Sequence, residues 1–482
     1  MRCVLRYVSF CLLCILMCTR GKAQNEPVDN SLIFSTEETN ISLPDSSNLF
    51  LIRNIYITGN RKTKPNIILR ELSFHENEEF PLNKIIDNFK EVKRRLMNTG
   101  LFRNVIVSLN SLRGHDVYVN IEVFEKWYIF PVPFVKTVDQ TFQQWMNEGA
   151  NFNRINYGIN LNYNNFTGHN DRLSVNILNG YTRQLFFQYN GIYLDKKLRW
   201  STNFGFSFGG NKELNYMSLH NKQVLFKDNN ETIRSYYHAF AEVGYRRAIN
   251  TKHTFSIGYS YENIADTILK LNPYFASAKH GIKYIDLSYK LSYFNVDFIP
   301  YPTKGYAAEV LLRKKGFNDP VNLWQLTAKG SGSWPTGDRS FFNLRALGML
   351  KLPFRQPYMT RQFLGYDDQF LQGYEDYVID GVAGGYIKAS LATNIFNFHT
   401  GIQTQRVPSL CHIPFRFYAK AFVNGGYVYN PFPGQNILPN RMLGSYGIGL
   451  DIIVFTDFVI KLEWSFNQLG ENGLYLHRRN YF

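Results

Sequence analysis

A chain of 482 residues with 19% charged and 16% aromatic residues and a formal charge of +15 is not a bundle of membrane helices, which would need several apolar runs of about 20 residues. Its 32 Tyr, 40 Phe and 35 Gly instead fit many short alternating strands with aromatic girdles. The basic excess fits anionic lipid headgroups or a polar lumen, and nucleic acid is not an expected partner of an exported chain.

The apolar run Val8–Met17 follows Arg2 and Arg6 and precedes Gly21-Lys22-Ala23. This is the basic, apolar, small-residue order of a secretory signal peptide, with cleavage expected after Ala23. Lipidation at Cys18 would want a small residue where Met17 stands, and a retained anchor would need a longer run. Four of the five cysteines fall in residues 1–23, which leaves Cys411 alone and excludes an internal disulfide in the mature chain. Residues 24–48 are polar and aperiodic and read as a flexible leader.

Residues 49–126 carry the first folded pattern. Leu51–Ile57 alternates as a strand, Gly59 and Asn60 supply a turn, and Pro65 suits the first position of a short helix. Leu82, Ile85, Ile86, Phe89, Val92 and Leu96 recur at helical spacing and predict a helix over Leu82–Asn98, ended by Gly100 as a left-handed cap. Leu101 and Phe102 lead into a strand to Leu109, and a last strand runs from Val117 to Phe124. The order is β-α-α-β-β.

From Tyr128 onward sixteen strand-like segments follow one another, the first at Tyr128–Val138 and the last at Leu474–Phe482. Alternation is clearest in Tyr157–Tyr163 and in Val459–Phe466, where one face suits lipid and the other water. Roughly 350 residues of this pattern behind a signal peptide predict a closed transmembrane barrel over residues 127–482, because closure satisfies every backbone group in lipid. An even strand count puts both barrel ends on the side of the small domain. The longer segments Gly210–Thr232 and Asn430–Arg441 then fall on the opposite side. The fold class expected is mainly β, a sixteen-stranded antiparallel transmembrane β-barrel preceded by one small α+β domain.

No pair of nucleophile and base, and no HExxH or CxxC metal pattern, stands at workable spacing, so neither an enzyme nor a cofactor is expected. A lipase with Ser and His on the outer face of the barrel stays open. The stretch Gln369–Tyr386, QFLQGYEDYVIDGVAGGY, fits neither period and reads as a loop of about residues 364–385 folded inside something.

Several phrases carry a resemblance. IYITGNRKT at 55–63, REL at 70–72, LMNTGLF at 96–102 and VNIEVFEKW at 119–127 resemble a POTRA domain, the periplasmic module of the BamA/TamA-like outer-membrane insertase superfamily. Leu371-Gln372-Gly373-Tyr374 resembles that family's arginine-glycine-aromatic motif in the loop after the eleventh strand. Phe422-Val423-Asn424-Gly425-Gly426 resembles its aromatic-x-acid-x-glycine motif on the thirteenth. The proline-basic-glycine turn Pro300–Gly305 and the terminal Tyr481-Phe482 fit as well.

In that family the loop arginine pairs with the strand carboxylate. Here Gln372 and Asn424 replace both, so the resemblance predicts a neutral amide contact between them, with Gly373 and Tyr374 completing a lumenal lock. It implies a protein that inserts or translocates polypeptides. Leu51–Ile57 and Val117–Phe124 would meet clients or partners by strand addition, and a weak last strand from Leu474 to Phe482 would form a seam. Partners would be outer-membrane lipid, unfolded outer-membrane or secreted polypeptides and periplasmic or lipoprotein accessory subunits. A dedicated exporter and a gated pore or scaffold are the alternatives.

Overall fold

The computed structural model describes residues 49–137, 155–228, 230–366, 369–400, 413–454 and 458–478. The expected signal peptide and leader, Cys411, Tyr481 and Phe482 lie outside them.

The small domain runs β1 (Leu49–Thr58), α1 (Pro65–Leu69), β2 (Glu79–Pro81), α2 (Leu82–Asn98), β3 (Phe102–Arg113) and β4 (Asp116–Glu125). Pro65 opens α1, where its missing N–H costs nothing. The helix α2 has the bounds that its periodicity predicts and buries Ile85, Phe89, Val92 and Leu96. These form one core with Val105 and Val107 of β3 and Val117, Val119, Ile121 and Val123 of β4. Leu82, at the first turn, stays 38% exposed. Gly100 follows the helix at φ +75°, and Leu101 and Phe102 are buried in the same core. Asn60 turns the chain by donating its side-chain amide to the Thr63 carbonyl.

Sheet order corrects one expectation. The strands run β2-β1-β4-β3, so β4, which contains Val117–Phe124, is paired on both sides and offers no edge for strand addition. Alternation gives a strand's faces but not its neighbours. The free edges are the outer side of β3 and the second half of β1, since β2 covers β1 only at Leu49–Leu51.

The large sheet comprises β5 (Ile129–Thr137), β6 (Ile155–Asn164), β7 (Arg172–Gly180), β8 (Arg183–Tyr193) and β9 (Trp200–Asn211). It continues, after an intervening hairpin, with β12 (Arg234–Ala248), β13 (Thr251–Ile264), β14 (Gly281–Val296), β15 (Gly305–Asn318), β16 (Val321–Pro335) and β17 (Ser340–Leu352). It ends with β20 (Ala383–Thr400), β21 (Ile413–Tyr429), β22 (Met442–Val454), β23 (Phe458–Asn467) and β24 (Asn472–Arg478). These are sixteen antiparallel strands in sequence order, the number predicted.

The sheet is inside out relative to a water-soluble protein. Phe204, Phe206, Phe255, Ile257, Trp324, Ile387, Tyr446 and Ile448 are exposed, whereas Asn203, Glu262, Asp286, Asn343, Asp451 and Lys461 are buried. An apolar outer band around a polar interior is the signature of a barrel solvated by lipid.

Turns β6–β7, β8–β9, β12–β13 and β14–β15 lie at the end that carries the small domain. The described long connections, between β9 and β12, β13 and β14, β17 and β20, and β21 and β22, lie at the other. Residues 213–227 form a hairpin there rather than a polar loop, of β10 (Glu213–Leu219) and β11 (Lys222–Lys227). Its two-residue turn holds His220 at φ +49° and Asn221 at +61°, the left-handed pair that asparagine tolerates well in a tight hairpin. Helix α3 (Asp266–Leu271), on the β13–β14 connection, packs with it in an apolar cap that also takes in Tyr358.

Candidate functional site

The connection between β17 and β20, the eleventh and twelfth barrel strands, enters the lumen. It contains α4 (Tyr358–Arg361), β18 (Gln362–Leu364) and β19 (Ile379–Asp380). Phe363, Leu364, Leu371, Tyr374 and Ile379 form its core with Leu347, Met349, Val428, Leu438 and Leu443 of the wall and cap. Asn221, at the tip of the β10–β11 hairpin, receives the Val378 N–H on its carbonyl at 2.8 Å. Its side-chain oxygen accepts the N–H groups of Ile437 and Leu438 at 2.9 and 3.1 Å, so one residue holds the hairpin to both long connections.

The wall under the loop is built by register. Lys420 of β21 stands opposite Gly449 of β22, and Gly449 opposite Glu463 of β23. Because Gly449 has no side chain, Lys420 lies across it. A Cβ there would come within 2.9 Å of Lys420 Cε and 3.2 Å of Glu463 Cγ. The ammonium thereby reaches Asp451 at 2.6 Å and Glu463 at 2.5 Å, and all three side chains are buried.

Gln372 does not meet Asn424. Its amide donates to Glu463 Oε1 at 2.7 Å, while the Asn424 amide donates to Ser445 Oγ at 3.0 Å and its Oδ1 has no hydrogen-bond partner. The expected amide pair is therefore corrected to an amide–carboxylate bond on a different strand, with the balancing charge supplied by Lys420. The resemblance pointed to the thirteenth strand because it matched positions in the motif. The signal that would have found Glu463 lies in Val459–Phe466, where Lys461 and Glu463 place charges on the inward side of an otherwise clean alternation.

Gly373 and Tyr374 do lie on this wall. Gly373 holds φ +87°, and a Cβ on it would be 3.0 Å from Ser445 Cβ. A larger residue would meet both backbone strain and the wall. Its carbonyl accepts the Asn467 side-chain amide at 2.8 Å. Tyr374 is 2% exposed and donates its hydroxyl to the Gly444 carbonyl at 3.1 Å. Replacing Gln372 with leucine removes one hydrogen bond to a buried carboxylate, worth about 1.5–3 kcal/mol. Protease cleavage within Gln369–Asp376 is expected to rise about tenfold, and an unchanged rate would contradict this anchoring role.

The same loop grips the last strand. Tyr475 donates to Asp376 at 3.2 Å, Phe370 stacks on the His477 ring at 4.5 Å, and Tyr377 donates to Glu471 at 2.7 Å. Leu474 is 57% exposed on the outer face. Among the described residues, β24 pairs only with β23 and β5 only with β6. Among the described residues the last strand is thus held by its neighbour β23 and by the loop.

At the other end the small domain docks on the barrel turns. Glu71 is 2% exposed and takes both guanidinium nitrogens of Arg246, at the end of β12, at 2.6 and 3.0 Å. Lys64 N–H donates to the Gly168 carbonyl in the β6–β7 turn at 2.9 Å. In α2, Arg94 and Asn98 donate to the Val296 carbonyl at 2.6 and 3.1 Å, and Asn98 accepts the Ile299 N–H at 3.1 Å. That β14–β15 turn runs inward. Its Tyr301 is buried against Phe341 and Tyr418 and donates to Asp451 Oδ2 at 3.0 Å. Helix α2, Tyr301, Asp451, Lys420, Glu463 and Gln372 therefore form one run of contacts from the small domain to the loop.

A small sheet-and-helix domain seated on a sixteen-stranded barrel, with a loop folded into the lumen, defines a POTRA-bearing membrane barrel. A family model described as POTRA, surface antigen variable number repeat, matches residues 50–126, and one described as Omp85 superfamily domain matches residues 165–454. The latter spans more than half of the sequence, and the chain belongs to the Omp85 superfamily.

Among curated proteins, it is 31% identical over 81 residues to the outer membrane protein assembly factor BamA of Neorickettsia risticii (strain Illinois). The match covers 17% of this chain and only 10% of that relative. Among solved structures, CdiB from Escherichia coli is 13% identical, with 89% of this chain and 74% of that chain covered and a TM-score of 0.51. BamA from Haemophilus ducreyi lacking POTRA domains 1–3 is 15% identical, with 89% and 83% covered and a TM-score of 0.49. At these identities the likeness to solved structures is one of fold.

Proposed function

We propose that this protein assembles or translocates polypeptides at the outer membrane of a Gram-negative cell, with its POTRA domain in the periplasm and no catalytic step of its own. The observation that carries this reading is the pair of end strands of the barrel sheet: among the described residues β24 pairs only with β23 and β5 only with β6. A barrel wall gains stability from every ladder bond, so a strand laddered on one side only presents an edge on which an incoming strand can pair. The free sides of β3 and β1 offer a second place for an extended client. Outer-membrane lipid would surround the exposed aromatic band, and periplasmic or lipoprotein subunits would compete for the same POTRA edges.

The test is depletion followed by an inventory of outer-membrane proteins. Loss of many barrel proteins is the expected result, and an unchanged inventory would overturn it. Export of one secreted partner is a second reading, favoured by the polar face of β6–β8. There Asn160, Asn162, Arg172, Asn176, Gln188 and Asn190 line a cavity of about 280 Å³ that, among the described residues, the loop does not fill. Loss of a single secreted protein on depletion, with a stable conductance in planar bilayers, would select it.

A further inference from the structure

We propose that Glu375, Glu463 and His477 form a binding site for a divalent transition-metal ion of the zinc class, which clips the lumenal loop to the last strand of the barrel. The three residues come from the loop, β23 and β24, and they are brought together only by the folded lumen. One imidazole nitrogen and two carboxylate oxygens are a donor set suited to a first-row dication, since imidazole is a poor ligand for calcium or magnesium.

Spacing supports the assignment. His477 Nε2 lies 3.3 Å from Glu375 Oε1 and 3.3 Å from Glu463 Oε2, and the three ligand atoms all fall within 4.8 Å of one another. A charge-assisted N–H···O bond would close to about 2.7–2.9 Å. Ligands placed tetrahedrally about 2.0–2.1 Å from zinc stand about 3.3–3.4 Å apart.

Each ligand is also aimed by a second partner, as metal ligands usually are. Glu463 has its Oε1 held by Lys420 and Gln372, which turns Oε2 to the imidazole. Glu375 has its Oε2 held by the Gly373 N–H at 2.7 Å, which turns Oε1 the same way. The His477 ring is fixed by stacking on Phe370, at 21° between planes. Nearby cations have their own partners, Lys420 lying between Asp451 and Glu463 and Lys388 over the rings of Phe370 and Tyr386. The fourth position of a tetrahedral ion would take water.

Binding would tie Glu375 of the loop to His477 of β24, so the ion would hold the loop in the lumen and the last strand on the loop together. The assignment stands apart from the proposed function, because any of its readings would use such a clip.

The experiment uses the chain from Gln24 onward in detergent with Cys411→Ser, which removes its one thiol as a competing ligand. After chelator treatment it is titrated with zinc by calorimetry and with cobalt by visible absorption. One equivalent of zinc is expected, with a cobalt d–d spectrum that reports nitrogen and oxygen ligands. His477→Ala and Glu375→Gln should each weaken binding at least tenfold while the barrel still shows the heat-dependent gel mobility of a folded state. Zinc should slow protease cleavage of the loop in the parent and not in His477→Ala. Binding below one equivalent, or binding that His477→Ala leaves unchanged, would overturn the site.

Discussion

Substituting Lys420 with methionine is expected to destabilise the barrel by about 3–5 kcal/mol, the cost of leaving buried carboxylates without their counter-charge. Lys420 is the shared cation of Asp451 and Glu463, and both acids have further roles. Asp451 holds Tyr301 of the inward-folded turn, and Glu463 holds Gln372 of the loop. The variant should therefore lose stability and release the loop together. The folded fraction is read by heat-dependent gel mobility and the loop by protease cleavage. Neutralising the acids as well, in Lys420→Met with Asp451→Asn and Glu463→Gln, should recover much of the stability, because the penalty lies in unpaired charge rather than lost volume. A single variant as stable as the parent would show that water in the lumen already screens the acids. Gly449→Val is expected to act in the same direction by blocking the path of Lys420 across β22.

Glu71→Ala is expected to undock the POTRA domain, with a loss of about 2–5 kcal/mol at the junction, as when one partner of a hydrogen-bonded charge pair is truncated. Burial by itself pushes the Glu71 carboxyl up, but the hydrogen bond and charge of Arg246, together with those of Arg70, outweigh it and hold it below its usual range. A carboxylate held low stabilises the docked state above its unfolded value, about 4.3, and that contribution is lost as pH falls through the lower docked value. Docking should thus persist through mildly acid pH and fail only below the ordinary carboxylate range. Protease sensitivity of Glu125–Ile129, measured from pH 7 to pH 3, checks this. The parent should show the acid limb and Glu71→Gln should lack it. An identical profile in both would place the docking energy in the other contacts.

The two predictions address opposite ends of one run of contacts. Helix α2 touches the β14–β15 turn, the turn reaches Asp451 through Tyr301, and Asp451 shares Lys420 with the acid that holds the loop. If the run transmits displacement, disturbing the α2 contact with the β14–β15 turn is expected to alter the Tyr301–Asp451 bond. Tyr301→Phe, which removes the hydroxyl and keeps the ring, separates this link from simple packing.

Much of this was legible without coordinates, and the reason is local chemistry. The period of 3.6 over Leu82–Asn98 set the bounds of α2. Alternation in segments such as Tyr157–Tyr163 set the strands and their number, because in a lipid-solvated barrel each strand must show one face to hydrocarbon and one to the lumen. The aromatic and glycine content of Gln369–Tyr386, which suits neither period, marked the lumenal loop before its container was known.

What tertiary structure decided was every relation between strands far apart in sequence. Alternation placed β4 as a strand but could not show that it is flanked on both sides, since sheet order is set by packing. The motif resemblance placed Gln372 in the lumen but assigned it the wrong partner, because reach across a barrel depends on register and on the gap left by Gly449. The hairpin of β10 and β11 hid inside a polar segment whose turn signal is only His220-Asn221. The convergence of Glu375, Glu463 and His477 has no sequence signature, for their meeting exists only once the loop lies on β23 and β24. Sequence by itself determined the faces; the curled sheet, by bringing inward faces within hydrogen-bond reach, determined which of them touch.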